Sequence, residues 1–534
     1  MGARETLYMH GDILSMDAAS PSPESCAVRD GVILGTGSES YCRGLLGGDA
    51  EQIDLRGACL APGFIDTHLH PVLMIYYEMN TNLHAVPSMD ALVDAMRGAA
   101  SVKPPQMWVV GLNFDEQSFD VPRLPSRRDL DRACPHRPAI IIKHDGHSLI
   151  ANTKAIEAAG IGAGTPDPRG GRIDRERDGF PAGPFRESAT ALVLAALPLP
   201  DEASIREAAG VSFERLASYG ISSAGVILQT GDEGPAGAAG SFDSFILQML
   251  LDEIPVNLYC LLIADGTAAI EPLRAALDRP SPKGTTRRLG GIKLYADGTY
   301  ASCTAAMFEP FSDCPGTSGF MTMSNDELYR RMRESHEAGL QVAVHAIGDR
   351  ANRVCVDLYA RLFSEHPRSG CRHRLEHASQ LGEGIIADIA RLGIVVSSQP
   401  MFIHSERDWL HKRLGTHRTP WTYPYRSLLD AGVRLAGASD APVEVLDVLH
   451  ALQCCVTREG FETQQCISAY EALRMFTLDA AYAQFEEDMK GSITAGKRAD
   501  LVVLSENPLR VPPDRIASIK VLETIVGGRT IFRA

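Results

Sequence analysis

Short apolar runs, each followed by a longer stretch with helical spacing of its apolar positions, recur through the middle of the chain. The runs at 60–67, 221–227, 256–263, 291–295, 341–345, 372–376, 394–398 and 434–438 are mostly continuous rather than alternating, as strands buried on both faces require. The alternation predicts βα units with a parallel sheet, and eight strands predict an α/β fold built on a closed TIM-like (β/α)8 barrel. The ends of the chain read differently. Residues 6–55 form short β segments separated by turns, and 499–504 and 521–533 are β-rich again. We therefore expect a small β-sandwich built from both termini, 1–58 and 485–534, around a barrel domain over 59–484. The stretch 71–201 is too long for an ordinary crossover and predicts a large insertion after barrel strand 1. We expect it to be a lobe over the barrel mouth, because elaboration of this fold collects in the βα loops of that face.

Composition supports a packed globular chain. Of 534 residues, 45% are apolar and 22% charged, with a mean hydropathy of −0.07, which is outside the range of disordered segments. The net charge of −15 is dispersed, without the basic stripe that a nucleic-acid partner requires. The start of the chain lacks a charged-then-apolar leader, and no apolar stretch reaches the roughly 18 residues of a membrane span. A cytoplasmic protein with no membrane partner is expected. Twelve cysteines without a Cys-x-x-Cys pair read as small buried thiols.

The chemistry-bearing residues fall at the ends of the predicted strands. The first run closes on His68-Leu69-His70, and strand side chains alternate with period two, so both imidazoles project to one face, close enough to share a metal ion. Lys293 lies inside the apolar run Gly291–Tyr295, His345 ends 341–345, His377 follows 372–376, and Asp440 follows 434–438. Five strands thus bring metal-competent or base-competent groups to the rim where such a barrel builds its active site. Imidazole and carboxylate donors without thiolate suit Zn2+, with Mn2+, Fe2+ or Co2+ as substitutes. Each residue also has a plainer reading. Lys293 could be a buried lysine paired with Asp297, His377 a hydrogen-bonded core histidine, and Asp440 the cap of a following helical turn. The segment 416–426 is rich in aromatic and cationic groups, and suits either an apolar substrate pocket or a packed loop.

The order of these motifs, with the phrases HAIGDRA, GASDAPV and SITAGKRADLVVL, resembles the amidohydrolase superfamily and within it the N-substituted formamide deformylase-like branch, over nearly the whole chain. The resemblance implies that His68 and His70 bind the more buried metal, and that His345 and His377 serve a second metal or the substrate side. It implies that Asp440 contacts metal and shuttles the proton. Lys293 stands where binuclear relatives carry a lysine carbamate bridging two metals. One or two ions per chain are expected. The implied reaction is attack of metal-bound hydroxide on a non-peptide amide- or formamide-type C–N bond of a small molecule. In it Asp440, His345 and His377 are the catalytic residues. The runner-up is a deaminase or cyclic-amide hydrolase on the same scaffold, and the reading from another class is an inactive metal-binding regulatory relative. Segments around Trp108, Asp115 and His147 resemble family stretches that line the pocket or reach the substrate, and His147 equally suits a structural role in a Gly-containing turn. Tyr295, Asp297, Arg186 and Glu187 are further candidates for substrate contact or ligand orientation. Exposed sandwich edges suggest a homodimer.

Overall fold

Eight parallel strands form one sheet in unbroken chain order: β1 (Phe64–Leu69), β2 (Ile221–Gln229), β3 (Asn257–Ile263), β4 (Arg287–Tyr295), β5 (Gln341–Ala346), β6 (Arg374–His377), β7 (Val395–Ser398) and β8 (Leu435–Gly437). The structure is a computed structural model. It describes residues 4–534 except 85, 106, 117–118, 122, 144–147, 169–170, 188, 199, 231–242 and 265–269. Every residue of β1, β2, β3, β5, β6, β7 and β8 is buried, which is why these runs carry no alternation. From β3 onward an α-helix follows each strand, as parallel crossovers demand.

All eight predicted runs carry a barrel strand, with one correction. The apolar run 60–67 is two strands: Cys59–Pro62 joins a different sheet, and the barrel strand begins only at Phe64. Gly63 separates them, and a Cβ there would lie 2.5 Å from the Ser222 hydroxyl oxygen, so the close approach to β2 admits only glycine. At the other edge, β1 and β8 face each other across a seam bridged by hydrogen bonds. The Thr67 hydroxyl donates to Gly437 O (2.9 Å) and lies 2.9 Å from the Ser397 hydroxyl. Just beyond the strands, Asp440 N–H donates to His68 O and His70 N–H donates to Ala441 O, each at 2.8 Å. The result is a nearly closed parallel barrel.

Two smaller sheets come from the ends of the chain. One contains Val32–Gly37, Ser25–Arg29, Glu5–Met9 and Glu51–Asp54. The other contains Asp12–Ile13, Cys59–Pro62, Leu501–Leu504, Val521–Val526 and Arg529–Arg533, so strands from both ends share it. Tyr8, Val28 and Ile33 from the first sheet and Leu60, Leu501 and Ile525 from the second belong to one apolar core.

The other compact unit spans Val72–Ser212 and Gln229–Leu247. It has its own six-stranded sheet, with apolar clusters around Leu92, Met96 and Phe114 on one side and around Val110, Ile140 and Phe185 on the other. Among the described residues no helix is long and apolar enough to cross a membrane. All twelve cysteines are free thiols.

Candidate metal centre

His68 and His70 leave the end of β1 with their ring centroids 5.5 Å apart. His377 leaves β6 and lies 5.2 Å from His68, and His345 leaves β5 and lies 4.5 Å from His377. Asp440, three residues past β8, places Oδ1 3.1 Å from His70 Nε2 and 3.4 Å from His68 Nε2. The barrel therefore gathers four imidazoles and a carboxylate from four strand ends. One donor atom each from His68, His377 and Asp440 lie within 4.8 Å of one another. His377 (φ 69°) and Asp440 (φ 61°) both adopt left-handed backbone, a conformation uncommon for residues with a Cβ that marks where each strand bends.

Hydrogen bonds behind the imidazoles set which nitrogen faces the centre. His68 Nδ1 lies 2.6 Å from Glu376 Oε2, and a carboxylate can only accept, so the proton sits on Nδ1 and the lone pair on Nε2. That Nε2 is buried and makes no hydrogen bond. Arg374 holds Glu376 in turn, with Nε donating to Oε1 (2.6 Å) and Nη2 to Oε2 (2.8 Å), both side chains wholly buried. Likewise His377 Nδ1 meets Gln399 Oε1 at 2.8 Å, and His345 Nε2 meets Gly298 O at 3.1 Å, which leaves His345 Nδ1 the lone pair. Glu376, Arg374 and Gln399 were not singled out from the sequence. The i, i+2 spacing of Arg374 and Glu376, one residue before His377, was the available signal.

Burial pushes His68, His345 and His377 well below the usual histidine range, with the Lys293 charge acting the same way, so all three are neutral donors near pH 7. Burial opposes the Asp440 carboxylate, but the hydrogen bond to His70 and the Lys293 charge outweigh it and hold the carboxyl below its ordinary value. Lys293 is brought down to about 8 by burial, against the opposing pull of Glu376 and Asp440. Its Nζ makes no hydrogen bond and sits 4.0 Å from the Tyr295 ring centroid. It is not paired with Asp297.

The remaining candidates lie as follows. Asp297 accepts from the backbone N–H groups of Ala306, Ile347 and Gly348, is 2% exposed and places Oδ1 3.5 Å from His345 Nε2, so it ties the segments after β4 and β5 together beside that imidazole. Tyr295 packs against Lys293 and His345. Trp108 is buried in the apolar cluster that also holds Val110, Leu112, Ile140 and Leu149, in the other unit. Asp115 is half-buried at the end of Val109–Phe114, and Arg186 donates to Asp174 (2.8 Å), both in that same unit. His147 lies outside the described residues, as does the side chain of Glu187. The segment 416–426 is a packed loop: Arg418 is buried and donates to the carbonyls of Glu309 and Pro310, and Tyr423 donates to Glu406 (2.6 Å).

A parallel barrel that collects imidazole and carboxylate donors at its strand ends defines the class of metal-site hydrolase barrels. The chain belongs to the amidohydrolase family, whose family model matches residues 51–532. It is accordingly a hydrolase acting on carbon–nitrogen bonds. Among relatives, YtcJ of Bacillus subtilis (strain 168) is 30% identical over 551 residues, covering 99% of each chain. The N-substituted formamide deformylase of Arthrobacter pascens is 28% identical over 541 residues, covering 98% of each. A solved structure of a metal-dependent hydrolase from Pyrococcus furiosus superposes with a TM-score of 0.76 at 26% identity, covering 95% of this chain and 100% of that one.

Proposed function

We propose that this enzyme uses one or two divalent cations, Zn2+ by the chemistry of the donors, to hydrolyse the C–N bond of a small amide- or formamide-type substrate. The observation that carries the reading is the convergence of His68, His377 and Asp440, with donor atoms within 4.8 Å, around a buried His68 Nε2 that has no hydrogen-bond partner. Neutral imidazoles with an ionised carboxylate suit Zn2+, and an uncompensated buried lone pair suits a cation. His68, His70, His377 and Asp440 would hold the ion, with His345 and Lys293 placed for a second. When bound, such an ion supplies Lewis acidity that polarises a carbonyl and acidifies a water molecule.

The chain's own residues do the rest. Glu376 and Gln399 keep protons on the outer nitrogens of His68 and His377, so both rings present lone pairs inward. Asp440, ionised and at hydrogen-bond distance from His70, takes a proton from the attacking water and returns it to the departing nitrogen, which leaves poorly unless protonated. The Lys293 amine, buried and without a hydrogen-bond partner, adds carbon dioxide and loses a proton, and the resulting carbamate replaces an awkward buried cation with an anionic oxygen donor. We read the two terminal sheets as a small sandwich, and the second unit as an elaboration of the barrel's first βα connection. The name of the Arthrobacter pascens relative supports the formamide reading.

The test is a metal-replete preparation screened against formamides, N-acyl amino acids and cyclic amides. Turnover of formamides with release of formate is expected. Turnover of cyclic amides alone would overturn the substrate class, and activity indifferent to chelator would overturn the metal.

A further inference from the structure

A second donor set lies on helices that follow β7 and β8. His404 is on the helix Met401–Leu414, His450 on Val448–Thr457, and Glu459 in the turn Arg458–Gly460. His404 Nδ1 is 2.9 Å from Glu459 Oε2, His450 Nε2 is 2.8 Å from Glu459 Oε1, and the two rings meet edge-on with centroids 4.6 Å apart. One donor atom from each residue falls within 4.8 Å of the other two. Cys454 follows His450 by four residues, one helical turn on the same face, and its Sγ is 3.8 Å from Glu459 Oε1. Glu459 itself is in left-handed backbone (φ 48°, ψ 33°), with its N–H donating to the Thr457 hydroxyl, a fixed conformation that aims the carboxylate at both histidines.

We propose that His404, His450 and Glu459 form a transition-metal site whose donors are distinct from those of the barrel centre, with Cys454 as a fourth donor that a bound cation deprotonates. Without an ion, burial pushes the Cys454 thiol up to about 12. Two imidazoles, a carboxylate and a thiol on an i, i+4 helix pair make a donor set suited to tetrahedral Zn2+ or Co2+. Burial lowers both histidines from their ordinary range, which leaves them neutral and able to ligate. His404 is exposed, so an ion can reach the site from solvent. Arg407 marks the place of the positive charge: its Nη1 contacts the Glu459 carboxylate and lies 3.1 Å from His404 Nδ1. An incoming ion displaces that guanidinium. The buried trio His336, Cys371 and His373 lacks this character. There all three residues are buried, and a backbone donor, Val342 N–H, which no incoming ion can displace as it can a side chain, occupies the His373 Nδ1 lone pair.

The test is Co2+ titration of the full chain, followed by absorption spectroscopy and elemental analysis. The wild-type chain is expected to take up one equivalent more than His404→Ala, an exposed position that leaves the fold intact, and to show a thiolate-to-cobalt charge-transfer band that Cys454→Ser removes. Arg407→Gln, which deletes the competing charge, is expected to tighten the extra equivalent about fivefold. Because the readout is a difference between variants, it is independent of how many ions the barrel holds. Equal uptake by wild type and His404→Ala, or affinity unmoved by Arg407→Gln, would overturn the proposal.

Discussion

Glu376 governs how His68 is presented. Its carboxylate accepts hydrogen bonds from His68 Nδ1 and from two nitrogens of Arg374, all buried, and so links the end of β1 to β6. Glu376→Gln cannot hold Arg374 by charge, and breaking a buried pair from one side costs about 3–5 kcal/mol. We expect a lower denaturation midpoint together with a metal affinity reduced about 10–100-fold, the usual cost of losing such a partner, measured by competition with a chelator. Asp440→Asn separates binding from proton transfer: the isosteric amide is expected to retain metal in elemental analysis and lose most turnover, and near-normal turnover would remove the proton role. The histidines and Asp440 were legible in the sequence because each closes an apolar run. Glu376 and Arg374 were not, since a charged pair inside a strand reads as ambiguous until the fold shows that both are buried together.

Among the elements, the seam between β1 and β8 is held chiefly by side chains and by backbone beyond the strands. Thr67 lies between Gly437 O and the Ser397 hydroxyl, with no exposure to solvent. Thr67→Val keeps the shape and strands both partners. We expect a loss of about 1–3 kcal/mol in urea unfolding, the cost of a buried polar group left unpaired, with the unfolding slope unchanged. The strands were readable from continuous apolar runs, but the break at Gly63 was not. Apolar residues continue across it on both sides, and only the close approach of Ser222 shows why a glycine divides the run between two sheets.

At the scale of the whole molecule, buried neutral histidines couple stability to pH. His373 is brought from 6.5 to about 3 by burial, aided by His336 and Arg368. The unfolded chain therefore binds a proton below about 6.5 that the folded chain refuses until about 3, so stability is complete above 6.5 and falls as pH drops through that window. Thermal melts between pH 7 and 4 are expected to show this fall, and His373→Asn, which cannot titrate, to show a shallower slope. A melting temperature flat across that range would contradict the assignment of His373 as neutral.

The account rests on one cation shared by residues far apart in sequence, and anomalous diffraction from crystals of the zinc-loaded protein, recorded on both sides of the zinc absorption edge, tests it most directly. We predict an anomalous peak bounded by His68, His377 and Asp440. A map with no peak among these three side chains, in crystals where zinc is present by elemental analysis, would contradict it.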